Sequence, residues 1–473
     1  VADPRSGGDE VRLDGVRVLV VATEQVGVRM AGPAIRSRNL ADQLTCRGAR
    51  VTLALPRELE PADAAAADLP DSVDVVAYGT PSARSLGPLA RRADVVVTQP
   101  QRVDVAWALA RSGARVVYDL YVPSYVERIA QLGTEPGDEL LKARLLERDR
   151  REYAAAIELG DAFCCASERQ RDLWLGALGQ AGRLDLGLLE RDARADELCA
   201  IVAFGTGDEP PDASGAASPM RGSLVPEDAI VALWTGGLWN WFDPVCVVDA
   251  LAAAREHEPR LQLVVMGMHH PEAAWQEQDV SRRMRERAAE LGLLEPGGGV
   301  VLLDTWVPYA ERGRWLLDAD LAVSAHHDSL ETRFSFRTRF LDHLWSGLPT
   351  ITTAGGELTE RMTAAGAALE VADGDVEAWQ VALLELAHDA DRRAQMSLAA
   401  RELAGAYRWS ITTEPLARSV RRLADARAAG APVSRRPRRV RALVSYLWLL
   451  VRVRVQAKGV RSLGAAVRGA SSR

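Results

Sequence analysis

Short valine-rich runs set apart by helix-length segments, twice over, constrain this chain more than any other feature. In the first half they are VRVLVVAT (16–23), ARVTLALP (49–56), VDVVAYG (73–79), ADVVVTQP (93–100), RVVYDLY (115–121) and AFCCAS (162–167). Near-continuous apolar strands alternating with helices build a parallel sheet covered on both faces, a doubly wound domain. Its ligands bind beyond the strand carboxyl ends, where strand order reverses. The pattern fades over 179–226, where EPPDASGAASP (209–219) has the Pro, Gly, Ser and Asp density of a linker. It resumes with AIVALWTGG (229–237), RLQLVVMG (260–267), VVLLDTWVP (300–308), ADLAVSAH (319–326), LPTITTAG (348–355) and ALEVADGD (368–375). The expected fold class is α/β, with two doubly wound Rossmann-like domains in succession. With 473 residues, 48% of them hydrophobic, the chain is long enough to bury two or three cores.

Residues 324–357, SAHHDSLETRFSFRTRFLDHLWSGLPTITTAGGE, join a strand end, a cation-rich turn, a helix expected over 337–346 and a strand closing on Gly355 and Gly356. Arg333, Arg337 and Arg339 cluster around that helix start. Backbone amides there favour an anion, and guanidinium groups grip phosphate oxygens in pairs. A nucleotide diphosphate suits such a pocket; a solvated basic turn is the alternative.

The formal charge is −7, yet eleven cations and no acid stand from Ser434 onward, so the rest of the chain is more acidic still. An acidic body argues against nucleic acid as a partner. The tail interleaves its cations with ALVSYLWLLV, the pattern of a helix lying on an anionic membrane surface, with a disordered or partner-docked tail as the alternative. Five scattered cysteines (Cys46, Cys164, Cys165, Cys199, Cys246) without a CxxC pair suggest neither a disulfide framework nor a zinc site, and fit a reducing cytoplasm. No apolar run of signal-peptide length opens the sequence, and none approaches the roughly eighteen residues of a membrane span. The expected location is cytoplasmic, peripheral on the inner face of the plasma membrane.

The two nucleotide-type domains, the first-loop glycine of AGPAIRSRNLADQLTCRGARVTL and the segment LDHLWSGLPTI (341–351) together resemble the GT-B glycosyltransferases, nearest glycosyltransferase family 4, or group 1, where that segment reads LEAMACGLPVV. RWSITTEPL (408–416) is similar to the family's crossover, where the last helix returns to the first domain. The resemblance covers 16–428 at the level of element order. It implies an acceptor domain (16–208) and a donor-nucleotide domain (227–405) facing a cleft, with a crossover helix (406–428); the residue pattern adds a flexible N-terminus (1–15), a linker (209–226) and the basic amphipathic tail (429–473).

Carried over residue by residue, the resemblance puts Gly32 where the backbone approaches the donor phosphates, and Arg36 one turn on, aimed at the same anion. The family's paired glutamates lie seven apart; the second corresponds to Asp342 and the first to Phe334, so Glu331 is the expected substitute on the donor-sugar hydroxyls. The family's G-R-L-x-x-x-K becomes GGLWNWF (236–242), without a cation. That leaves Arg333, Arg337 and Arg339 to neutralise the diphosphate, helped by Ser335 and Thr338; an inactive relative is the alternative. The expected donor-binding set is Gly32, Arg36, Gly236, Gly237, Asn240, Arg333, Ser335, Phe336, Arg337, Thr338, Arg339, Gly355 and Gly356. The catalytic candidates are Glu331, Asp342 and Asp119, the last a strand-end carboxylate in YDLYVPS able to act as a base. Trp306 and Tyr309 are expected on the nucleotide base. Trp239 and Trp241 either stack on a sugar or base, or simply pack. His269–His270 and His326–His327 each close a strand, where pocket hydrogen bonding is expected rather than a metal. The family works without a divalent ion, so neither metal nor cofactor is expected.

All seven histidines stand at or beyond His257, which removes the first-domain histidine base of inverting GT-B enzymes. The resemblance implies retention of configuration, with the departing diphosphate assisting the acceptor proton. The expected function is a glycosyltransferase moving a sugar from a nucleotide-sugar donor to a glycan, lipid-linked or small-molecule acceptor, in polysaccharide assembly or natural-product glycosylation. A nucleotide-sugar epimerase on the same scaffold and a non-catalytic membrane-surface adaptor are the competing readings.

Overall fold

The computed structural model describes residues 11–28, 30–56, 69, 72–79, 82–134, 137–212, 217–268 and 278–431. The basic tail from 432 onward, the pair His269–His270 and most of the N-terminal segment expected to be flexible lie outside the described residues.

The first sheet holds β1 (Arg17–Val21), β2 (Arg50–Pro56), β3 (Asp74–Tyr78), β4 (Val95–Thr98), β5 (Arg115–Asp119), β6 (Ala162–Cys165) and β7 (Cys199–Ile201). Their order is β3-β2-β1-β4-β5-β6-β7, with every pair parallel. The second holds β8 (Ile230–Trp234), β9 (Leu261–Val265), β10 (Val300–Leu302), β11 (Leu321–Ser324), β12 (Thr350–Thr353) and β13 (Ala368–Val371), again all parallel, in the order β10-β9-β8-β11-β12-β13. Central strands such as β4, β5, β8 and β11 are buried at every residue, because helices cover both faces. Chain order reverses between β1 and β4 and between β8 and β11. Loops following β1, β4 and β5 meet loops following β8, β9 and β10 around one cleft.

Two details differ from the sequence reading. The fading stretch 179–226 contains a helix (Leu186–Arg191) and the edge strand β7, both too short to leave a periodic signal. The helix expected over 337–346 begins at Thr338, with Arg337 at its N-cap, and is preceded by a short helix at Leu330–Phe334 whose Ser329 cap accepts the Thr332 N–H.

The chain returns to the first domain through Trp409, whose ring lies so close to Gly205 that a Cβ there would sit 2.6 Å away. Thr206 N–H donates to Tyr407 O at 2.7 Å and Trp409 N–H to Thr206 O at 3.1 Å. The helix Glu414–Ala428 then lies on the first domain, with Arg427 bonded to Asp94. Across the cleft, Arg169 donates to Gly355 O at 2.7 Å and to Glu360 Oε1 at 2.6 Å, while Gln170 Nε2 bridges Tyr121 O at 2.8 Å and Phe334 O at 2.9 Å. The two domains are closed on one another along this edge. No described helix is long and apolar enough to cross a membrane.

Candidate active site

The cleft between the sheets has a volume of about 470 Å³ and takes its lining from both domains. Its floor on the second-domain side is the loop after β8. Gly236 adopts φ +70°, and Gly267 packs so tightly behind it that a Cβ on Gly267 would lie 2.8 Å from the Gly236 carbonyl. Against that floor lies Arg339, in the first turn of the helix Thr338–Ser346. Its Nη2 donates to Gly237 O at 2.7 Å, its guanidinium stacks 4.2 Å from the Phe242 ring centroid, and its buried Nη1 has no hydrogen-bond partner among the described residues. Burial, then the like charge of Arg337, pulls this guanidinium down to about 9 against the opposing pull of Glu331. It remains a cation at neutral pH, one that a bound anion would relieve. Trp239 and Trp241 stack at 5.5 Å beside it, and Thr338, Phe336 and Trp306 complete this wall.

Gly32 lines the opposite wall at the first turn of the helix Gly32–Cys46. Neither this helix nor Thr338–Ser346 has a side-chain cap, and Gly32 and Thr338 both line the cleft, so two sets of first-turn amides stand at its rim.

Several expected site residues are placed otherwise. Arg36 does not line the cleft: it is sealed inside the first domain, with Nε 2.5 Å from Asp119 Oδ2 and Nη2 2.9 Å from Asp119 Oδ1. Asp119 touches the cleft, but both carboxylate oxygens are taken by Arg36, and Cys164 Sγ lies a further 3.4 Å from Oδ1. Glu331 and Arg337 form a second buried bidentate pair at 2.8 and 2.6 Å, away from the lining. The extended backbone before the Thr338 helix turns Arg337 inward, and a guanidinium so desolvated takes the nearest carboxylate. Arg333 is exposed, its guanidinium 5.9 Å from the Phe334 ring centroid, and is off the cleft. Ser335 donates to Thr332 O at 3.2 Å at the end of the short helix. Asn240 is buried and accepts the Val280 N–H at 3.2 Å, holding the start of the helix Asp279–Glu290. Gly355 and Gly356 lie at the Arg169 clamp rather than in the lining.

Asp342, Trp306 and Tyr309 do meet in the cleft, joined by Arg312. Arg312 Nε donates to Asp342 Oδ1 at 3.0 Å, and its guanidinium lies 3.7 Å from the Tyr309 ring centroid and 4.6 Å from that of Trp345. Of the two histidine pairs, His326 and His327 are described, and they are not at the rim. His326 is buried and burial pushes it down to about 2; His327 Nδ1 lies 3.2 Å from Asp373 Oδ1 on the outer surface. Asp243, His327 and Asp373 come within 4.8 Å of one another, but Asp243 caps the helix Pro244–Arg255 and Asp373 accepts the Asp328 N–H, so those carboxylates already have structural roles. His343 lies beneath the floor between Thr235 Oγ1 at 2.8 Å and Thr350 Oγ1 at 3.2 Å, and burial pushes it down to about 3.

Sequence reasoning missed Arg312 and Glu127. Arg312 follows Tyr309 by three residues and offered a weak signal as a cation beside an aromatic. Glu127 sits on the helix Ser124–Thr134 and lines the cleft. Burial first, then Glu331 of the other domain, raises it to about 8, with Arg337 and Arg128 opposing. The residue is half-buried in the cleft wall.

No family model matches the sequence. The chain is 29% identical over 205 residues to the D-inositol 3-phosphate glycosyltransferase of Thermobispora bispora, covering 42% of this chain and 45% of that protein. It is 28% identical over 263 residues to that of Saccharomonospora viridis, covering 50% and 55%. The chain thus spans about half the length of the curated relatives it matches. Among solved structures, Anabaena HepE in complex with UDP and glucose superposes with a TM-score of 0.62 at 14% identity, over 86% of this chain and 99% of that one. Sucrose-phosphate synthase of Thermosynechococcus elongatus gives 0.61 at 16% identity, over 87% and 100%. At such identities the likeness is one of fold. The chain has the GT-B architecture of solved glycosyltransferases, and over about half its length its sequence is related to proteins named D-inositol 3-phosphate glycosyltransferases.

Proposed function

We propose that the protein is a glycosyltransferase moving a sugar from a nucleotide diphosphate donor, held against the second domain, to a polyol or glycan acceptor at the first, with retention of configuration and without a bound metal ion. The observation that carries this reading is Arg339, a desolvated cation in the cleft whose Nη1 lacks a partner among the described residues. With the first-turn amides at Gly32 and Thr338 it makes a site for a diphosphate, and the neighbouring indoles of Trp239, Trp241 and Trp306 suit a sugar or base. Negative charge grows on the leaving phosphate in the transition state, where Arg339 and those amides would oppose it without reorganising. Asp119 is held by Arg36, and Glu127, raised to about 8, is largely protonated at neutral pH, a hydrogen-bonding group rather than a ready base. Proton transfer to the departing diphosphate, the route of a retaining enzyme, is the course this favours. Relatives named for D-inositol 3-phosphate and a structural neighbour solved with UDP and glucose support the substrate classes.

Calorimetry with UDP on wild type and Arg339→Ala tests the reading; equal affinity in both would remove the phosphate site, and anomeric analysis of the product separates retention from inversion. The arginine- and leucine-rich pattern of 429–473 supports an anionic membrane surface as a further partner, checked by sedimentation with anionic vesicles with and without that segment.

A further inference from the structure

The Arg312 guanidinium lies against two aromatic rings, and each of those residues is bonded to something outside the second domain. Tyr309, its ring centroid 3.7 Å away, donates its backbone N–H to Val28 O of the first domain at 3.0 Å, and its hydroxyl is hydrogen-bonded to Asn39 on the helix Gly32–Cys46. Trp345, at 4.6 Å, donates its indole N–H to Glu209 O at 2.5 Å, in the segment that joins β7 to β8. That segment is seated closely. A Cβ on Gly207 would lie 3.3 Å from Trp345 Nε1, and one on Gly313, next to Arg312, would lie 2.9 Å from Pro211 Cβ. The guanidinium itself donates within the second domain, from Nε to Asp342 Oδ1 at 3.0 Å and from Nη1 to Tyr309 O at 2.9 Å. Tyr309, Arg312 and Asp342 all line the cleft.

We infer that Arg312 is a positioning residue that makes the donor side of the cleft depend on domain closure, holding Asp342 and the Tyr309 ring in register while Tyr309 is docked on the first domain. The inference rests on the transferase reading, which puts the nucleotide against this wall, and deepens it by naming what orders the wall. Parting the domains breaks the bonds from Tyr309 to Val28 and Asn39. The guanidinium then loses the ring that is fixed from the other domain, and a long side chain freed in this way regains the rotamers it gave up on closing. Arg312 is the ion-pair partner of Asp342 among the described residues, so the carboxylate is released with it. Closure and nucleotide binding to the ordered wall therefore favour one another, each by the same factor. Arg312 acts through Asp342 and Tyr309, on the shape of the wall rather than on the reacting atoms.

The experiment is a double-mutant cycle on UDP affinity, by calorimetry on the full chain, with Asn39→Ala and Arg312→Gln. The two residues stand in different domains and both meet Tyr309, while no bond joins them directly among the described residues. Arg312→Gln is expected to weaken UDP binding about tenfold, equivalent to about 1.4 kcal/mol, and Asn39→Ala about threefold although Asn39 lies off the cleft lining. The double variant should bind no more weakly than Arg312→Gln alone, because without the guanidinium the docking of Tyr309 no longer reaches Asp342. A merely structural role for each residue predicts independent effects that multiply to about thirtyfold. Asn39 also donates to Ile35 O at 2.8 Å, so Tyr309→Phe, which removes only the hydroxyl that meets Asn39, provides a second cycle with Arg312→Gln and the same expected outcome. Urea midpoints identify the variants that are folded. Effects that multiply in a cycle of folded variants, or UDP affinity unchanged in both Asn39→Ala and Tyr309→Phe, would overturn the assignment. Absence of UDP binding to wild type would instead overturn the transferase reading beneath it.

Discussion

Arg36 grips Asp119 through two parallel hydrogen bonds, at 2.5 and 2.9 Å, with side chains 0% and 3% exposed, and so converts a strand-end carboxylate at the cleft into part of the first domain's interior. Burial works against the guanidinium's charge, yet the neighbouring carboxylate outweighs it and raises the arginine above its ordinary value. Asp119→Ala would strand that cation in the core, at a cost of about 3–5 kcal/mol. Urea denaturation should show the loss, with Arg36→Ala similar and the double variant Arg36→Met/Asp119→Leu recovering most of it. A general base at this position would behave differently: Asp119→Asn would stop turnover while leaving stability near wild type.

The pairing explains which parts of the site could be read from the sequence. Strands were legible because valine-rich runs have no other use in a covered sheet; β7 was not, since three residues carry no period. Arg339 was legible as a cation at a helix start. Its neighbour Arg337 was equally visible, but whether it faces a ligand or Glu331 depends on the extended backbone between the short helix and the next, which no residue pattern announces. Arg36 and Asp119 stand far apart in sequence and meet only because the first helix packs on β1 and β2 with Arg36 reaching the end of β5. Glu127 draws its environment from Glu331 in the other domain, so it exists as a site only once the cleft closes.

Glu127 also predicts a pH dependence. Burial and Glu331 raise its carboxyl from 4.5 to about 8 in the folded protein, so between those values the native state holds a proton that the unfolded chain has released. Stability therefore falls as pH rises through that window, with no penalty below about 4.5 and the full penalty above about 8. Glu127→Gln removes the titrating group. Its stability relative to wild type should improve from pH 5 to pH 8.5, measured by urea denaturation at both; a difference independent of pH would contradict the assignment.

Gly267 tests the floor beneath Arg339. At φ +75° a side chain is strained, and its Cβ would lie 2.8 Å from the Gly236 carbonyl and 3.1 Å from Gly237 N, both backbone atoms that cannot swing aside. Gly267→Ala should cost about 1–3 kcal/mol of stability, as overpacking does. It should also weaken UDP binding, because Gly237 O is the carbonyl that holds the Arg339 guanidinium. Glycine at 292, also at positive φ but with open space around it, is the control: alanine there carries the backbone strain without the displaced loop and should leave UDP affinity unchanged.

Arg169 holds the cleft shut from outside the lining. Its guanidinium reaches Gly355 O and Glu360, and its backbone N–H donates to Glu357 Oε2 at 3.1 Å, so one residue of the first domain clasps the loop and helix following β12. The Arg169–Glu360 pair is partly exposed, at 26% and 52%, and such pairs contribute no more than about 1 kcal/mol to stability. Removing it should leave global unfolding nearly unchanged and act instead on the balance between closed and open domains. Arg169→Ala is expected to enlarge the radius of gyration in small-angle scattering without UDP, and to lower kcat/KM several-fold, while Glu360→Ala, which keeps the bond to Gly355 O, should do less. Wild-type scattering and turnover in Arg169→Ala would mean that closure is maintained by the Gln170 bridge and the crossover through Trp409, and that the arginine clasp follows closure rather than holding it.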